Sequence, residues 1–325
     1  MSQVQSYHAR ALALHRASPV VDAHCDTISL ILDDALAFCA GDARGQVDLP
    51  RLRSAHVGIQ VFACWNEPAY SHHAAFARCM AKIGAYHQLA RQEGLQLVRS
   101  RANLDEPGPR FILSLEDAAP CMGSVVHLEA LFAAGVRMIG LTWNGRNELA
   151  DGVGVGQHPG GLTEVGRALV SHMEQLGIVV DLAHVAEPSF WDTLDSLQGP
   201  AVVSHANARA VHDHRRNLSD AQIKALADRG GVVGITFVPA FLAQGRSSVN
   251  DVVRHIKHVA QVGGLHCVGL GSDFDGITET PEGLEHVGCL PNLTAALLAD
   301  GFSESDLRLI LRENWLRVFR TVWRD

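Results

Sequence analysis

Eight short apolar runs, rich in β-branched residues and separated by segments of helical character, organise this chain of 325 residues. They cover residues 19–24, 57–64, 110–116, 136–142, 178–184, 201–205, 232–238 and 267–273. Nearly continuous apolar character, without polar alternation, is typical of parallel strands that are buried on both faces. The pattern predicts repeated βα units, and at this length their commonest single-domain form is a closed (β/α)8 barrel.

Capping patterns mark three of the intervening helices. Thr163 can cap a helix that ends at Gly177, where glycine suits a left-handed residue. Ser219 and Ser303 each open a capping-box pattern, with a polar partner three residues later. An open doubly wound sheet is the competing architecture, but no glycine-rich phosphate loop follows the first run. Because no repeat or linker divides the chain, we expect one barrel domain over residues 1–325.

The ends of these runs carry a recurrent set of side chains. Barrel enzymes assemble their sites at the carboxyl ends of the strands. Metal-ligand or acid–base residue types stand at the ends of five runs: His24 and Asp26, Glu116, His184, His205, and Asp273. The alternation of a strand places His24 and Asp26 on one face. A sheet built only for packing would end mostly in small, apolar or turn-forming residues.

Imidazole nitrogens and carboxylate oxygens suit zinc and similar divalent ions. One tetrahedral ion needs fewer than five ligands. Two ions that share one carboxylate would account for all five. Two ions about 3.5–4 Å apart can hold a bridging water as hydroxide and polarise the group that it attacks. Asp273, outside the ligand set, is then the natural proton shuttle. The sequence therefore predicts a hydrolase with two divalent ions per chain, with zinc as the first choice.

Charge and composition exclude other classes of function. A net charge of −8 argues against nucleic acid as a partner, because its phosphates demand a basic surface. No apolar run reaches membrane-spanning length, and residues 1–16 lack the apolar core of a signal peptide. Seven cysteines, without any C-x-x-C pair, fit reduced thiols in a cytoplasmic protein.

The motifs around these residues resemble those of the renal (membrane) dipeptidase family of zinc peptidases, in its soluble bacterial form. The resemblance runs from VVDAHCD near the start to NWLRVF near the end, and includes LSLED, DLAH, SHANAR, RRN and GSDFDG. It implies that one ion is bound by His24 and Asp26 and the other by His184 and His205. It also implies that Glu116 bridges the two ions, which makes it a catalytic residue together with Asp273.

The resemblance implies hydrolysis of dipeptides with a free carboxylate, and the leading hypothesis is a dipeptidase that also accepts a D-residue at the carboxyl end. Arg216 of RRN would pair with that carboxylate, as a guanidinium can do with two parallel hydrogen bonds. Asp273 would take the proton of the attacking water and bind the amino end of the substrate. Trp143 stands where renal-type members have a histidine that polarises the scissile carbonyl. Trp143 or Asn144 would then contact that carbonyl, or the metals alone would activate it, and Trp65 aligns with a pocket aromatic.

Two alternatives to a dipeptidase stay open at this point. One is another amidohydrolase reaction, such as deacylation of an N-acyl amino acid or opening of a lactone. The other is a non-catalytic barrel that keeps its metals for structure or ligand binding, which the retention of all five ligands and Asp273 disfavours. The expected partners are small dipeptides, with no nucleic acid and no membrane. The sequence leaves the oligomeric state open, with a homodimer among the options.

Overall fold

The computed structural model describes residues 3–70 and 73–324, and a ring of parallel strands forms its centre. The strands are β1 (Val20–Cys25), β2 (Val57–Trp65), β3 (Gln96–Leu97), β4 (Arg110–Glu116), β5 (Val136–Gly140), β6 (Val179–Asp181), β7 (Val203–Ala206), β8 (Val233–Ile235) and β9 (Val268–Leu270). Their order is β6-β5-β4-β2-β1-β9-β8-β7, with β3 added beside β4. Main-chain bonds from Leu182 N to Val202 O (2.8 Å) and from Val202 N to Val180 O (3.0 Å) join β6 to β7. The predicted (β/α)8 barrel is therefore confirmed.

Helices follow the strands around this ring. They are α1 (Gln3–Ala17), α2 (Thr27–Asp33), α3 (Leu49–Ser54), α4 (His73–Glu93), α5 (Val125–Ala134), α6 (Glu164–Leu176), α7 (Glu187–Ser196), α8 (Asp220–Asp228), α9 (Pro239–Leu242), α10 (Val249–Gly263), α11 (Leu290–Ala299), α12 (Glu304–Arg308) and α13 (Asn314–Val322). The predicted caps are confirmed: Thr163 caps α6, and Ser219 and Ser303 form capping boxes on α8 and α12. Among residues 3–70 and 73–324, no helix is long and apolar enough to cross a membrane.

All eight predicted runs contain a strand, but four of them, 136–142, 178–184, 232–238 and 267–273, extend two or three residues past the carboxyl end of the strand, and two of these carry site residues. The fifth and eighth runs were expected to reach His184 and Asp273, whereas β6 ends at Asp181 and β9 at Leu270. Both His184 and Asp273 have φ near +67°, in the left-handed region that a β-strand cannot contain. These two side chains therefore lie on the loops at the barrel mouth.

The last helix fixes the strand that leads to Asp273. Asn314 Nδ2 donates to the carbonyl of Val268 (2.7 Å), and Trp315 Nε1 donates to the carbonyl of Leu270 (3.1 Å). Between them, Gly269 leaves room for the indole, since a Cβ there would lie 2.3 Å from Trp315 Nε1. The short strand β9 is thus held by side chains of α13 as well as by its neighbours in the sheet.

Candidate metal centre

The five predicted ligands meet at the barrel mouth, with Glu116 in the middle. Glu116 Oε2 lies 3.5 Å from His24 Nε2. The other oxygen, Oε1, lies 2.8 Å from His184 Nε2 and 3.6 Å from His205 Nε2. One carboxylate therefore faces His24 with one oxygen and the pair of His184 and His205 with the other.

The first group combines His24 with two more carboxylates. His24 Nε2 lies 3.6 Å from Asp26 Oδ2 and 3.7 Å from Asp273 Oδ1. Both His24 Nε2 and Asp26 Oδ1 are buried without a hydrogen-bond partner in the described part of the chain. Buried polar atoms are nearly always satisfied, so two orphaned atoms of ligand type fit a bound cation. The predicted pair of His24 and Asp26 is brought together, with Asp273 beside it.

The second group consists of His184 and His205, whose Nε2 atoms lie 2.9 Å apart. The other ring nitrogen of His184, Nδ1, lies 3.0 Å from Asn144 Oδ1. An amide oxygen only accepts hydrogen bonds, so Nδ1 of His184 carries the proton and Nε2 presents a lone pair. A ligating histidine commonly donates its second N–H in this way. The geometry of this group also fits a cation.

The electrostatics of the centre favour neutral imidazoles at His184 and His205 and an added positive charge near His24. Burial lowers the pKa of His184 to about 4, helped by the Arg216 guanidinium, and burial lowers the pKa of His205 well below its ordinary value. Burial opposes protonation of His24 too, but the Glu116 carboxylate and then Asp26 raise its pKa well above the usual range. Three carboxylates thus draw a positive charge to this spot, which divalent ions would supply.

Main-chain contacts hold the loop that carries Asp273 against the end of β1. The amide of Asp273 donates to the carbonyl of His24 (3.1 Å), and the amide of Asp26 donates to the carbonyl of Phe274 (2.9 Å). A Cβ on Gly276 would lie 2.3 Å from Asp26 Oδ2 and 2.6 Å from Asp273 Oδ1. Glycine at this position therefore lets the two carboxylates lie side by side.

Arg216 lies beside the second group of ligands and is only 6% exposed. Its Nη2 donates to the carbonyl of His205 (3.1 Å), whereas Nε is buried without a partner. Arg216 and His184 both line a cavity of about 190 Å³. Burial lowers the pKa of Arg216 to about 10, so the guanidinium is still cationic at neutral pH. A buried cation with an unused donor is suited to binding an anionic group.

Two tryptophans lie next to the predicted metal ligands. The Trp143 ring lies 5.9 Å from the His184 ring and 5.5 Å from the Trp65 ring, measured between centroids. Trp65 Nε1 is buried without a hydrogen-bond partner, and the ammonium of Lys82 lies 5.8 Å from the Trp65 ring. The structure thus brings all the predicted substrate-binding residues near the ligands, and directs the oxygen of Asn144 at His184.

Sequence reasoning missed two buried polar residues behind the ligands. Asp181 ends β6, and Ser204 precedes His205 on β7. The exposed fraction of Asp181 is 4%, and that of Ser204 is zero. The available signal was a carboxyl and a hydroxyl inside two otherwise apolar runs, IVVDLAH and AVVSH. Such groups need a buried partner, which here lies on the neighbouring strand.

Several known proteins resemble this chain in sequence or in fold. A relative from Klebsiella pneumoniae, an uncharacterised protein in the pqqA 5′ region, is 41% identical over 226 residues, covering 66% of this chain and 83% of the relative. An uncharacterised dipeptidase of Schizosaccharomyces pombe is 30% identical, covering 94% of this chain and 81% of its own length. A metallo-peptidase from Rhodobacter sphaeroides, crystallised with a phosphinate mimic of the dipeptide L-Ala-D-Ala, superposes with a TM-score of 0.89. It is 28% identical and matches over 94% of this chain and 99% of its own.

The family profile described as membrane dipeptidase (peptidase family M19) matches residues 8–324, almost the whole chain. This match confirms the resemblance seen in the motifs and agrees with the barrel and with the ligand types gathered at its mouth. The chain belongs to the membrane dipeptidase family, peptidase family M19.

Proposed function

We propose that this metallo-dipeptidase works with two divalent ions, zinc being the simplest choice for its ligands. His24 and Asp26 would hold one ion, and His184 and His205 the other. Glu116 would bridge them, and the observation that carries this assignment is the division of its two oxygens between the two groups. Divalent ions held there would activate water and polarise the scissile carbonyl.

Asp273 is proposed as the proton shuttle. Its carboxylate lies beside His24 and Asp26, where burial raises its pKa well above the usual range, with Asp26 adding to the increase. A carboxyl with a raised pKa can accept a proton from the attacking water and return it to the leaving amine near neutral pH. The same carboxylate can accept a hydrogen bond from the amino group of a dipeptide.

Arg216 is proposed to bind the carboxylate of the substrate. Its unpartnered Nε and the cavity that it lines together with His184 place this cation next to the second group of ligands. The bacterial relative with a bound mimic of L-Ala-D-Ala supports dipeptides, and we extend the proposal to dipeptides with a D-residue at the carboxyl end. Trp143 and Trp65 would pack against the substrate, and the amide nitrogen of Asn144 would contact its carbonyl.

A cytoplasmic location is proposed from the cysteines. All seven are free thiols in the structure, and five of them are buried. Reduced, scattered cysteines are typical of proteins kept in a reducing compartment.

Purified protein should bind two divalent ions per chain. The reason is that five ligands, one of which is a bridging carboxylate, provide two partly open sites. Elemental analysis after removal of metal with a chelator and reconstitution with zinc measures the ratio. Full activity with one ion or fewer per chain would contradict the binuclear assignment.

Replacing Arg216 by alanine should reduce kcat/KM for a dipeptide by about 30- to 1000-fold, the equivalent of about 2–4 kcal/mol for half of a desolvated charge pair. Arg216→Lys should keep only part of the parent kcat/KM, because an ammonium cannot form the two parallel hydrogen bonds of a guanidinium. The loss should be confined to substrates with a free carboxylate. An amidated dipeptide should already be poor with the parent enzyme.

Measuring kcat/KM for a dipeptide and its amide, in the parent and in Arg216→Ala, gives a double-mutant cycle. Arg254→Ala, which removes an exposed arginine from α10, is the matched control. Equal losses on both substrates would show that Arg216 does not bind the carboxylate. A panel of L,L-, L,D- and N-acyl substrates separates a dipeptidase from a deacylase, because an N-acyl amino acid offers no amino group to Asp273.

A further inference from the structure

A single buried hydroxyl lies between two of the metal-ligating rings. Ser204 Oγ is 2.9 Å from His205 Nδ1 and 3.5 Å from His24 Nδ1. The centroids of those two rings are only 3.9 Å apart. Since Ser204 is fully buried, no solvent competes for this hydroxyl. The Ser204 side chain therefore contacts Nδ1 of one histidine in each proposed metal site.

Asp181 anchors the main chain next to this hydroxyl. The amide of Ser204 donates to Asp181 Oδ1 at 2.8 Å. Oδ1 accepts a second main-chain bond, from Ala183 N at 3.0 Å. Asp181 therefore fixes the main chain of Ser204 to the end of β6, with the hydroxyl held beside the two rings.

A hydroxyl has one proton and two lone pairs. The two lone pairs of Ser204 Oγ can accept one N–H from His24 Nδ1 and one from His205 Nδ1. With Nδ1 as the donor, the nitrogen left to bind a metal ion is Nε2 of each ring. Those are the atoms that face Glu116 at 3.5 Å and 3.6 Å.

We infer that Ser204 is a positioning residue shared by both metal sites, fixing the metal-binding tautomer of one histidine in each. The inference rests on the proposed assignment of His24 to one ion and His205 to the other. Asn144 provides the contrast, because His184 is the only proposed ligand that its oxygen contacts among the described residues. Loss of the Ser204 side chain should lower the affinity for both ions. Loss of the Asn144 side chain should lower the affinity for one ion only.

Stepwise zinc affinities, measured by competition with a chromophoric chelator, test this difference. Removing a hydrogen-bond partner of a ligand typically costs about 10–100-fold in metal affinity. Ser204→Ala should lower the affinity for the ion at His205 to that extent. The affinity for the ion at His24 should fall by a smaller factor, because the contact of Ser204 Oγ with His24 is longer. Asn144→Ala should weaken one step only. Ser114→Ala is the matched control, since its buried hydroxyl donates to the carbonyl of Phe62 and not to a ligand.

Both affinities of Ser204→Ala remaining within twofold of the parent would overturn the inference. A loss in one step alone would also overturn it, because the residue would then serve a single site. If the parent itself binds one ion, the binuclear assignment fails instead, so the two failures are distinguishable. The unfolding midpoint of the metal-free variants reports any general damage to the fold.

A spectroscopic measurement gives a second readout that a purely structural role would not change. With ¹⁵N-labelled histidine, long-range ¹H–¹⁵N correlation spectra of the zinc-loaded protein report which ring nitrogen carries the proton. In the parent we expect the proton on Nδ1 of His24 and of His205. In the affinity measurements, Ser204→Thr should bind zinc as the parent does, because threonine keeps the hydroxyl. Protonated Nε2 on either ring in the parent would overturn the inference.

Discussion

Replacing Glu116 by glutamine is expected to release both metal ions and to lower kcat/KM by about 10³- to 10⁴-fold, since metal-based stabilisation of the transition state contributes several kcal/mol. The two carboxylate oxygens of Glu116 face different groups of ligands. A glutamine keeps one oxygen, and its NH₂ group would present protons where the second ion should bind. Because the side chain also loses its charge, neither ion keeps its original binding energy.

Elemental analysis of Glu116→Gln beside His184→Ala separates a bridge from a terminal ligand. His184→Ala should empty mainly one site, because His184 contacts only one oxygen of Glu116. Glu129→Gln is the matched control, as Glu129 hydrogen-bonds His172 away from the centre. If Glu116→Gln and His184→Ala lost the same single ion, Glu116 would be a terminal ligand.

Asp273→Asn should lower kcat by about 10²- to 10⁴-fold, the range for loss of a positioned general acid–base group. Asparagine has nearly the same shape, but its amide can neither accept the proton of the attacking water nor pass one to the leaving amine. Because Asp273 lies outside the five proposed ligands, both ions should be retained. Steady-state kinetics with parallel elemental analysis measure the two effects on the same preparation.

The control for Asp273→Asn is Asp228→Asn, which changes an exposed carboxylate paired with Lys224 on α8. If Asp273→Asn binds two ions and its kcat is within tenfold of the parent value, Asp273 does not take part in the proton transfer. Loss of an ion in Asp273→Asn would instead make Asp273 a metal ligand, as its 3.7 Å distance from His24 Nε2 allows.

Much of this centre could be predicted from the sequence, because the carboxyl ends of all strands in a parallel barrel meet at the same end of the barrel. Each buried run is apolar almost throughout, so a histidine or carboxylate at its carboxyl end stands out. Glu116 and His205 were located in this way from their runs alone. The barrel brings them within 3.6 Å although they lie in different βα units.

The features that could not be predicted depend on tertiary contacts or on local backbone conformation. The left-handed φ of His184 and Asp273 leaves no mark in an apolar run, so the strand ends were placed too late. Strand β3 has only two residues and is too short for a hydrophobic pattern. The contact of Ser204 with Asp181 forms only when β6 and β7 close the barrel, and no spacing in the sequence indicates it.

The pairing of β1 with β9 means that the metal centre is completed by the last strand of the ring. His24 lies in the first strand, and Asp273 follows the ninth, which α13 holds in place. During synthesis, a chain that has not yet made β9 and α13 has the ligands without the ring that orients them. Ions that bind only the finished ring shift the folding equilibrium towards it by mass action. Metal supply and the completion of folding are therefore thermodynamically linked in this protein.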